Sequence, residues 1–347
     1  MSPGVRVEAS SDAPIDWDAF VVRQPHASAY HRAGAVAIGD RAFGLRTTYL
    51  AARGADGRLS GVLPLVEQSS VLFGRYLVSL PFVTYGGMLV EDSAAEAALV
   101  VRAAALAQER RASHAELRHV EPLIGHSLAE RLDKVSMVLR LPESEAALSK
   151  QLGSKLRSQV RRAEREAIEI VWGGAELLGE FYPVYAATMH ELGTPVYPRR
   201  FFEVAHAALR EVASVLVLRL DGAAHAAAIL VRHGRRIEVP WAAASALAKQ
   251  RAVNMRMYWE MLRFAVSAGA EAFDFGRSTV DSGTYRFKAQ WGAEPMQLRW
   301  HYWLPVGAPV PMLNQANPKY ARAAALWRRI PLWCANLVGP AIAKNLP

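Results

Sequence analysis

Residues Phe273-Asp274-Phe275-Gly276-Arg277-Ser278, followed by Gly283-Thr284-Tyr285-Arg286-Phe287-Lys288 and Trp291-Gly292, set a carboxylate and several cations beside a short apolar strand. A strand needs only apolar residues to pack, so Asp274, Arg277, Arg286 and Lys288 exceed what a core requires and point to a site at the strand end. Lys288 has Tyr285, Phe287 and Trp291 as sequence neighbours. A lysine partly stripped of water among aromatic rings can steady the oxyanion that develops on an acyl carbonyl, a contribution of about 3 kcal/mol for one donor. Tyr285, three residues away, can supply or relay a proton. The competing reading is a lysine stem lying over the rings with its ammonium in water. Asp274 is either a base or the partner that holds Arg277, and alternation along the strand points it away from Phe273.

A second grouping is Lys155-Leu156-Arg157-Ser158-Gln159-Val160-Arg161-Arg162-Ala163-Glu164-Arg165. Arg157, Arg161 and Arg165 recur at steps of four, along one face of a helix, where they could grip phosphate or simply be solvated. Tyr85-Gly86-Gly87 follows the apolar run Leu80-Pro81-Phe82-Val83 and permits close approach of backbone to a ligand, or makes a plain turn. The ten histidines show no metal-ligand spacing and Cys334 is the single cysteine, so no metal is assigned. Glycine-rich phosphate loops are missing too. Ala242-Ala243-Ala244-Ser245-Ala246-Leu247-Ala248-Lys249 stands where a pyrophosphate cradle would want glycines.

These residues need elements to hold them. In the first half, Thr47 to Arg53 and Leu59 to Glu67 read as a hairpin about Ala55-Asp56-Gly57-Arg58, and Phe73 to Thr84 as further extended chain. An alanine-rich helix follows, with Ser93 and Glu96 spaced as a capping box, and then strands at His114 to His119 and Ser136 to Leu141. The second half reads as one basic helix from Glu145 to Ala167, a strand at Ile168 to Trp172, and helices from Ala175 to Leu192 and Pro198 to Arg210. A hairpin turns at Asp221-Gly222, Arg235 to Ala242 forms a third strand, and the helix Val253 to Ser267 crosses to the Phe273 strand. Paired antiparallel strands, a helix and a parallel crossover strand in each half give an α/β fold with mixed sheets. The boundary falls between Pro142 and Ser149.

The chain has 347 residues, enough for about two domains by the usual length prior. Charged residues at 21% and hydrophobic ones at 52% exclude a disordered chain. Lys+Arg at 41 against Asp+Glu at 32 leaves a net charge of +9, which favours anionic partners. Met1 to Asp18 lacks the apolar stretch of a signal peptide, and no run of about 18 apolar residues occurs. A cytoplasmic location without a transmembrane segment is the default expectation. In the final stretch, Tyr320 to Leu346, Trp327 and Trp333 flank Arg328 and Arg329. That pattern suits an interfacial helix on an anionic membrane, which would place the protein at the inner face. Pro331 breaks the helix and favours docking of the tryptophans onto the protein's own sheet.

Through Tyr85-Gly86-Gly87, the Lys155 to Ala163 segment and above all the blocks Phe273 to Arg277 and Gly283 to Gly292, the chain resembles the Fem-type transferases over roughly residues 25 to 305. Within them it is similar to the Fem-related proteins of exosortase and PEP-CTERM exopolysaccharide systems. The resemblance implies two tandem acetyltransferase-like (GNAT, acyl-CoA N-acyltransferase-like) domains, at 1–143 and 144–312, with the active site in the second and a tail at 313–347. It implies an enzyme that adds an amino acid or acyl group to an amine on a cell-envelope, peptidoglycan or exopolysaccharide precursor, with no tightly bound cofactor. Lys288 matches the family's active-site lysine, assisted by Tyr285. Lys155, Arg157 and Arg161 would bind an anionic, phosphorylated acceptor or donor, with Tyr85, Asp274, Arg277 and Trp291 also about the substrate. Missing glycines near Ala242 fit the branch that uses aminoacyl-tRNA rather than coenzyme A. No charged coiled-coil arm of the kind some staphylococcal-type relatives turn to tRNA interrupts the second half, so acyl-CoA stays open as donor beside aminoacyl-tRNA. Two alternatives stand beside this reading: a coenzyme A-dependent N-acetyltransferase, and a non-catalytic module that binds anionic glycan or RNA.

Overall fold

The computed structural model describes residues 4–70, 74–124, 126, 128–311 and 318–345. Phe73, Leu346 and the expected boundary at 312 and 313 lie outside them. In chain order, Arg6–Ser10 (β1), Trp17–Arg23 (α1), Ala33–Val36 (α2) and Ile38–Phe43 (α3) lead into Thr47–Arg53 (β2), Leu59–Ser70 (β3), Gly74–Val78 (β4) and Leu89–Val90 (β5). Ser93–Glu109 (α4), Ala115–His119 (β6) and Ala129–Arg131 (β7) follow. Then come Lys134–Arg140 (β8), Glu145–Gln151 (α5), Ser154–Ala163 (α6), Ile168–Gly173 (β9), Leu178–Glu191 (α7), Arg199–Leu209 (α8), Ala213–Leu220 (β10), Ala223–His233 (β11) and Arg236–Ala244 (β12). The chain continues through Ala246–Gln250 (α9), Val253–Ser267 (α10), Ala272–Thr279 (β13), Gly283–Ala289 (α11), Glu294–Gln297 (β14), Arg299–Trp303 (β15), Pro318–Trp327 (α12) and Leu332–Ala343 (α13).

Two compact units result, one from Met1–Lys134, Gln297–Leu313 and Lys344–Pro347, the other from Val135–Met296 and Asn314–Ala343. The first holds a sheet in the order β1-β2-β3-β4-β6-β15-β7, with β5 on β3. Only β4 and β6 are described as parallel within it. Helix α4 lays Ala95, Leu99, Ala103 and Leu106, at steps of three and four, against Leu50, Leu63, Leu65 and Leu117 of the strands. Asp92, not Ser93, caps it by accepting from the Ala95 N–H, and the Glu96 carboxylate instead accepts from the Ile124 N–H.

The second unit has the order β14-β8-β13-β12-β11-β10-β9. Leu216, Leu218 and Leu220 join α10 in one cluster, while Val215 and Val217, facing the opposite way, are equally buried. Both faces are therefore covered, as near-continuous apolar strands require. Helix α7 packs on β10, β11 and β12, and Phe181, Tyr185, Phe201, Phe202 and Trp241 form one aromatic cluster.

Three expectations change. The division at 143 and 144 does not hold: β8 belongs to the second unit's sheet, whereas β15, expected in the second domain, pairs with β6 and β7 of the first. An alternating apolar pattern says that a strand is half-buried, not which sheet it joins. The basic helix is two helices, α5 and α6, separated by Leu152 and Gly153 in extended conformation. Glycine inside a helix costs about 1 kcal/mol relative to alanine, and here Gly153 serves as the N-cap of α6 instead. Of the two Asp-Gly turns, Asp221-Gly222 is a tight two-residue turn with φ +53° and +80°, but the first hairpin closes through 54–58 with only Gly57 at positive φ.

Candidate active site

Parallel strands β12 and β13 pair over three residues only, Arg236 to Glu238 against Ala272 to Asp274. Two local features end the pairing. A bulge offsets β12 from β11 between the Ile229–Trp241 and Val231–Glu238 partners, where Pro240 has no N–H to give a ladder. On β13, Gly276 takes φ +76°, a conformation that side chains with a Cβ rarely adopt. Both strands nevertheless run on, to Ala244 and Thr279.

Helix α11 brings Lys288 to this point. Ser282 caps the helix by accepting from the Tyr285 N–H at 3.2 Å. Lys288, 8% exposed, reaches back to donate to the Gly276 carbonyl at 2.8 Å and the Arg277 carbonyl at 2.9 Å. An ammonium has three N–H donors, so one is left over. Burial pulls its pKa down to about 8, Asp274 and Glu238 oppose that fall, and Arg277 adds to it.

Asp274 is fully buried, and its Oδ1 accepts from the Ser136 hydroxyl on β8 and from the Gly276 N–H at 2.8 Å. One peptide unit on, the Gly276 carbonyl accepts from Lys288, so Asp274 holds the bend that presents this carbonyl. Glu238, directly across from Asp274 in the β12–β13 register, is bonded at 2.9 Å to the equally buried His233. Sequence reasoning gave no site role to Ser136, His233 or Glu238. Glu238 had a signal, a carboxylate inside the apolar strand Arg236-Ile237-Glu238-Val239; Ser136 had none.

Among the expected site residues, the structure brings together Lys288, Asp274, the backbone of Gly276 and Arg277, and Tyr285 one turn away on α11. The Arg277 side chain is exposed. Tyr285 is half-buried with its ring on the second unit's core. Trp291 is not a surface residue: it is 1% exposed inside that core, beside Tyr258, and cannot touch a substrate as the expectation required. Nor do Asp274 and Phe273 divide between core and solvent, because β13 is an interior strand covered on both faces and both are fully buried.

The basic segment divides by burial. Leu156, Val160 and Ala163 face inward and α6 packs on α10, leaving Lys155 and Arg161 exposed. Arg157 turns back to donate to the carbonyls of Ser149 and Leu152, closing the C-terminal end of α5. Tyr85 is in the first unit, where Tyr85, Gly86, Gly87, His31, Arg118 and His119 line a cavity of about 160 Å³. The two glycines make room for protein rather than ligand, since a Cβ would meet Leu80 at 2.5 Å from Gly86 and the His119 ring at 2.2 Å from Gly87. His119 accepts from the Met88 N–H at 3.0 Å through Nε2, and its Nδ1 lies 3.2 Å from Nδ1 of His301. Burial keeps both imidazoles neutral, with His301 pushed down to about 4. Among the described residues no cluster of His, Cys, Asp and Glu has the makings of a metal site.

Two mixed α/β sheets, each with a helix crossing between parallel strands, make a GNAT-type acyltransferase fold in tandem. A family model described as an acetyltransferase (GNAT) domain matches residues 154–289, from the start of α6 to the end of α11. No curated protein matches the chain. Among solved structures the chain is similar to FemX, with 17% identity, a TM-score of 0.64, and 86% of this chain and 97% of that one covered. It is also similar to the C-terminal domain of a candidate lysylphosphatidylglycerol synthetase from Agrobacterium fabrum, with 16% identity, a TM-score of 0.58, and 93% and 95% covered. A tandem GNAT protein from the clavulanic acid biosynthesis pathway matches at 12% identity and a TM-score of 0.51, with 88% and 100% covered. These likenesses show the fold.

Proposed function

We propose that the chain is an acyl or aminoacyl transferase that joins an amino acid or acyl group to an amine on a cell-envelope or exopolysaccharide precursor, with Lys288 at the chemical step. The observation that carries this reading is the buried Lys288 ammonium, fixed by two backbone carbonyls with one N–H free, at the end of the β12–β13 pairing. The acceptor amine attacks the carbonyl carbon of an activated donor, and negative charge collects on the carbonyl oxygen. Lys288 donates to that oxyanion. As the tetrahedral intermediate collapses, the bond to the leaving group breaks and an amide forms. The proton lost by the amine ends on the leaving group, with the Tyr285 hydroxyl available to pass it. Lys155 and Arg161, exposed on α6, bind phosphate of donor or acceptor.

The junction of β12 with α10 speaks less for a coenzyme A diphosphate than for another donor. Cations there already have carboxylate partners: Lys249 with Glu191, Arg251 with Glu166 and Asp221, Arg256 with Glu164 and Glu260. The short α9 spends the Ser245 cap on the Ala248 N–H instead of leaving a bare nest of amides. This favours an aminoacyl ester as donor, as on aminoacyl-tRNA. FemX and a lysylphosphatidylglycerol synthetase domain share the fold, which agrees with envelope-directed chemistry.

Transfer assays with aminoacyl-tRNA and acyl-CoA donors and UDP-linked amino sugars as acceptors, backed by thermal shift for each ligand, test the proposal. Product formation that Lys288→Ala abolishes supports it. A folded Lys288→Ala protein with full transfer activity overturns it, and salt-sensitive binding of glycan or RNA without turnover would favour the non-catalytic module.

A further inference from the structure

We propose that α12 and α13 form a docking surface for an anionic membrane. Helix α13 contains no charged residue from Leu332 to Ala343. Ala335, Gly339 and Ala343, at steps of four, are its buried side; a Cβ on Gly339 would lie 3.3 Å from the Val196 backbone and 3.5 Å from the Trp327 ring. The elbow between the helices is tied down as well. His190 lies 2.9 Å from the Ile330 carbonyl, and Gly193, at φ +74°, leaves no room for a Cβ against Ala324. With this side fixed, Trp333 is 70% and Leu337 73% exposed, joined by Leu332, Val338, Ile342 and, from α12, Leu326.

A helix with no charge and Asn336 as its one amide side chain is normally buried, and contiguous apolar patches on a protein surface mark interaction sites. Of the fourteen large hydrophobic side chains exposed among the described residues, six lie between 326 and 342, which is a patch and not scatter. Charge selects the occupant. From Pro318 to Asn345 the sequence has five cations, Lys319, Arg322, Arg328, Arg329 and Lys344, and no Asp or Glu. Arg322, Arg328 and Arg329 are exposed. Exposed arginines on the same two-helix segment as an apolar surface with a projecting tryptophan match lipid phosphates above acyl chains. A protein partner would more often be met by charges of both signs. Spanning is not at issue, because twelve helical residues measure about 18 Å against roughly 30 Å of hydrocarbon. The surface is preformed, so docking costs little ordering. Expectation and structure divide over the tryptophans: Trp327 docks on the protein, Trp333 does not.

Flotation of the full chain with vesicles of phosphatidylcholine, with or without phosphatidylglycerol, tests this without reference to turnover and so independently of the transferase reading. Binding is expected to the phosphatidylglycerol vesicles and to weaken with salt. Trp333→Ser should lower affinity about tenfold, and Arg328→Glu with Arg329→Glu by at least about fivefold per arginine replaced. Val101→Ser, an equally exposed apolar site on α4, should leave binding unchanged. All are surface changes, and equal melting temperatures certify folding. The proposal is overturned if anionic vesicles are not bound at low salt, or if binding ignores the Trp333 and arginine variants. It is equally overturned if light scattering shows a dimer that Leu337→Ser dissolves, which would make the patch a contact between copies of the chain.

Discussion

Replacing Lys288 by methionine separates what its burial does to stability from what it does to catalysis. A pKa lowered from 10.5 to about 8 by burial corresponds to about 3 kcal/mol of differential interaction. Between these pH values the unfolded chain still holds the proton and the native protein does not. Stability therefore rises with pH across that window, the contribution being complete only above about pH 10.5 and lost as pH falls through 8. Lys288→Met removes this term and no other titration. Urea unfolding of both proteins from pH 7.5 to 10.5 should show wild type gaining about 3 kcal/mol relative to the variant, other lysines and tyrosines cancelling in the difference. At neutral pH the variant should lose about 100- to 1,000-fold in kcat, the range for one oxyanion donor. Wild-type transfer should decline above pH 8 as the ammonium loses its proton. A stability gap independent of pH would show that Nζ is solvated, and activity climbing through pH 8 would assign Lys288 a base's role and refute the oxyanion assignment.

Other consequences are as direct. Gly276→Ala, at φ +76°, should cost about 1–2 kcal/mol in thermal unfolding and cut kcat, because the strained peptide carries the carbonyl that positions Lys288. Arg157→Ala should lower stability by about 1 kcal/mol, through loss of the α5 cap, and leave KM for an anionic substrate unchanged, whereas Lys155→Ala and Arg161→Ala should raise KM at constant melting temperature. In the first unit, His301 is held neutral by burial and by His126, against the pull of Glu130, with His119 at its Nδ1 and Arg299 nearby. Stability should fall as pH drops from about 6.5 towards 4, since the unfolded histidine takes a proton that the native one refuses, and His301→Gln should flatten that fall in circular-dichroism melts.

Much of the fold was legible where local chemistry is decisive. The Asp221-Gly222 turn and the α10 to β13 crossover follow from backbone preference and period alone. The break between α5 and α6 is hidden in the pattern because the apolar spacing of Leu148, Leu152 and Leu156 continues through it, while one glycine and a returning arginine decide the conformation. Sheet membership of β8 and β15 was not legible at all. Strand pattern records burial of a face, and partner choice depends on chain segments more than a hundred residues apart.

The candidate site shows the same division. Composition and spacing determined that the Phe273 to Gly292 block carries more charge than packing needs and gave Lys288 aromatic sequence neighbours, which suit either a desolvated ammonium or one lying over the rings. Tertiary structure decided which charges work together: Asp274 is turned inward to Ser136 and Gly276, Trp291 is sunk into the core, Arg157 is spent on a helix end, and Glu238 is placed opposite Asp274. The reason is physical. A residue's chemical capacity is local, fixed by its own atoms, but its pKa, exposure and partners come from desolvation and contacts that only the folded chain supplies.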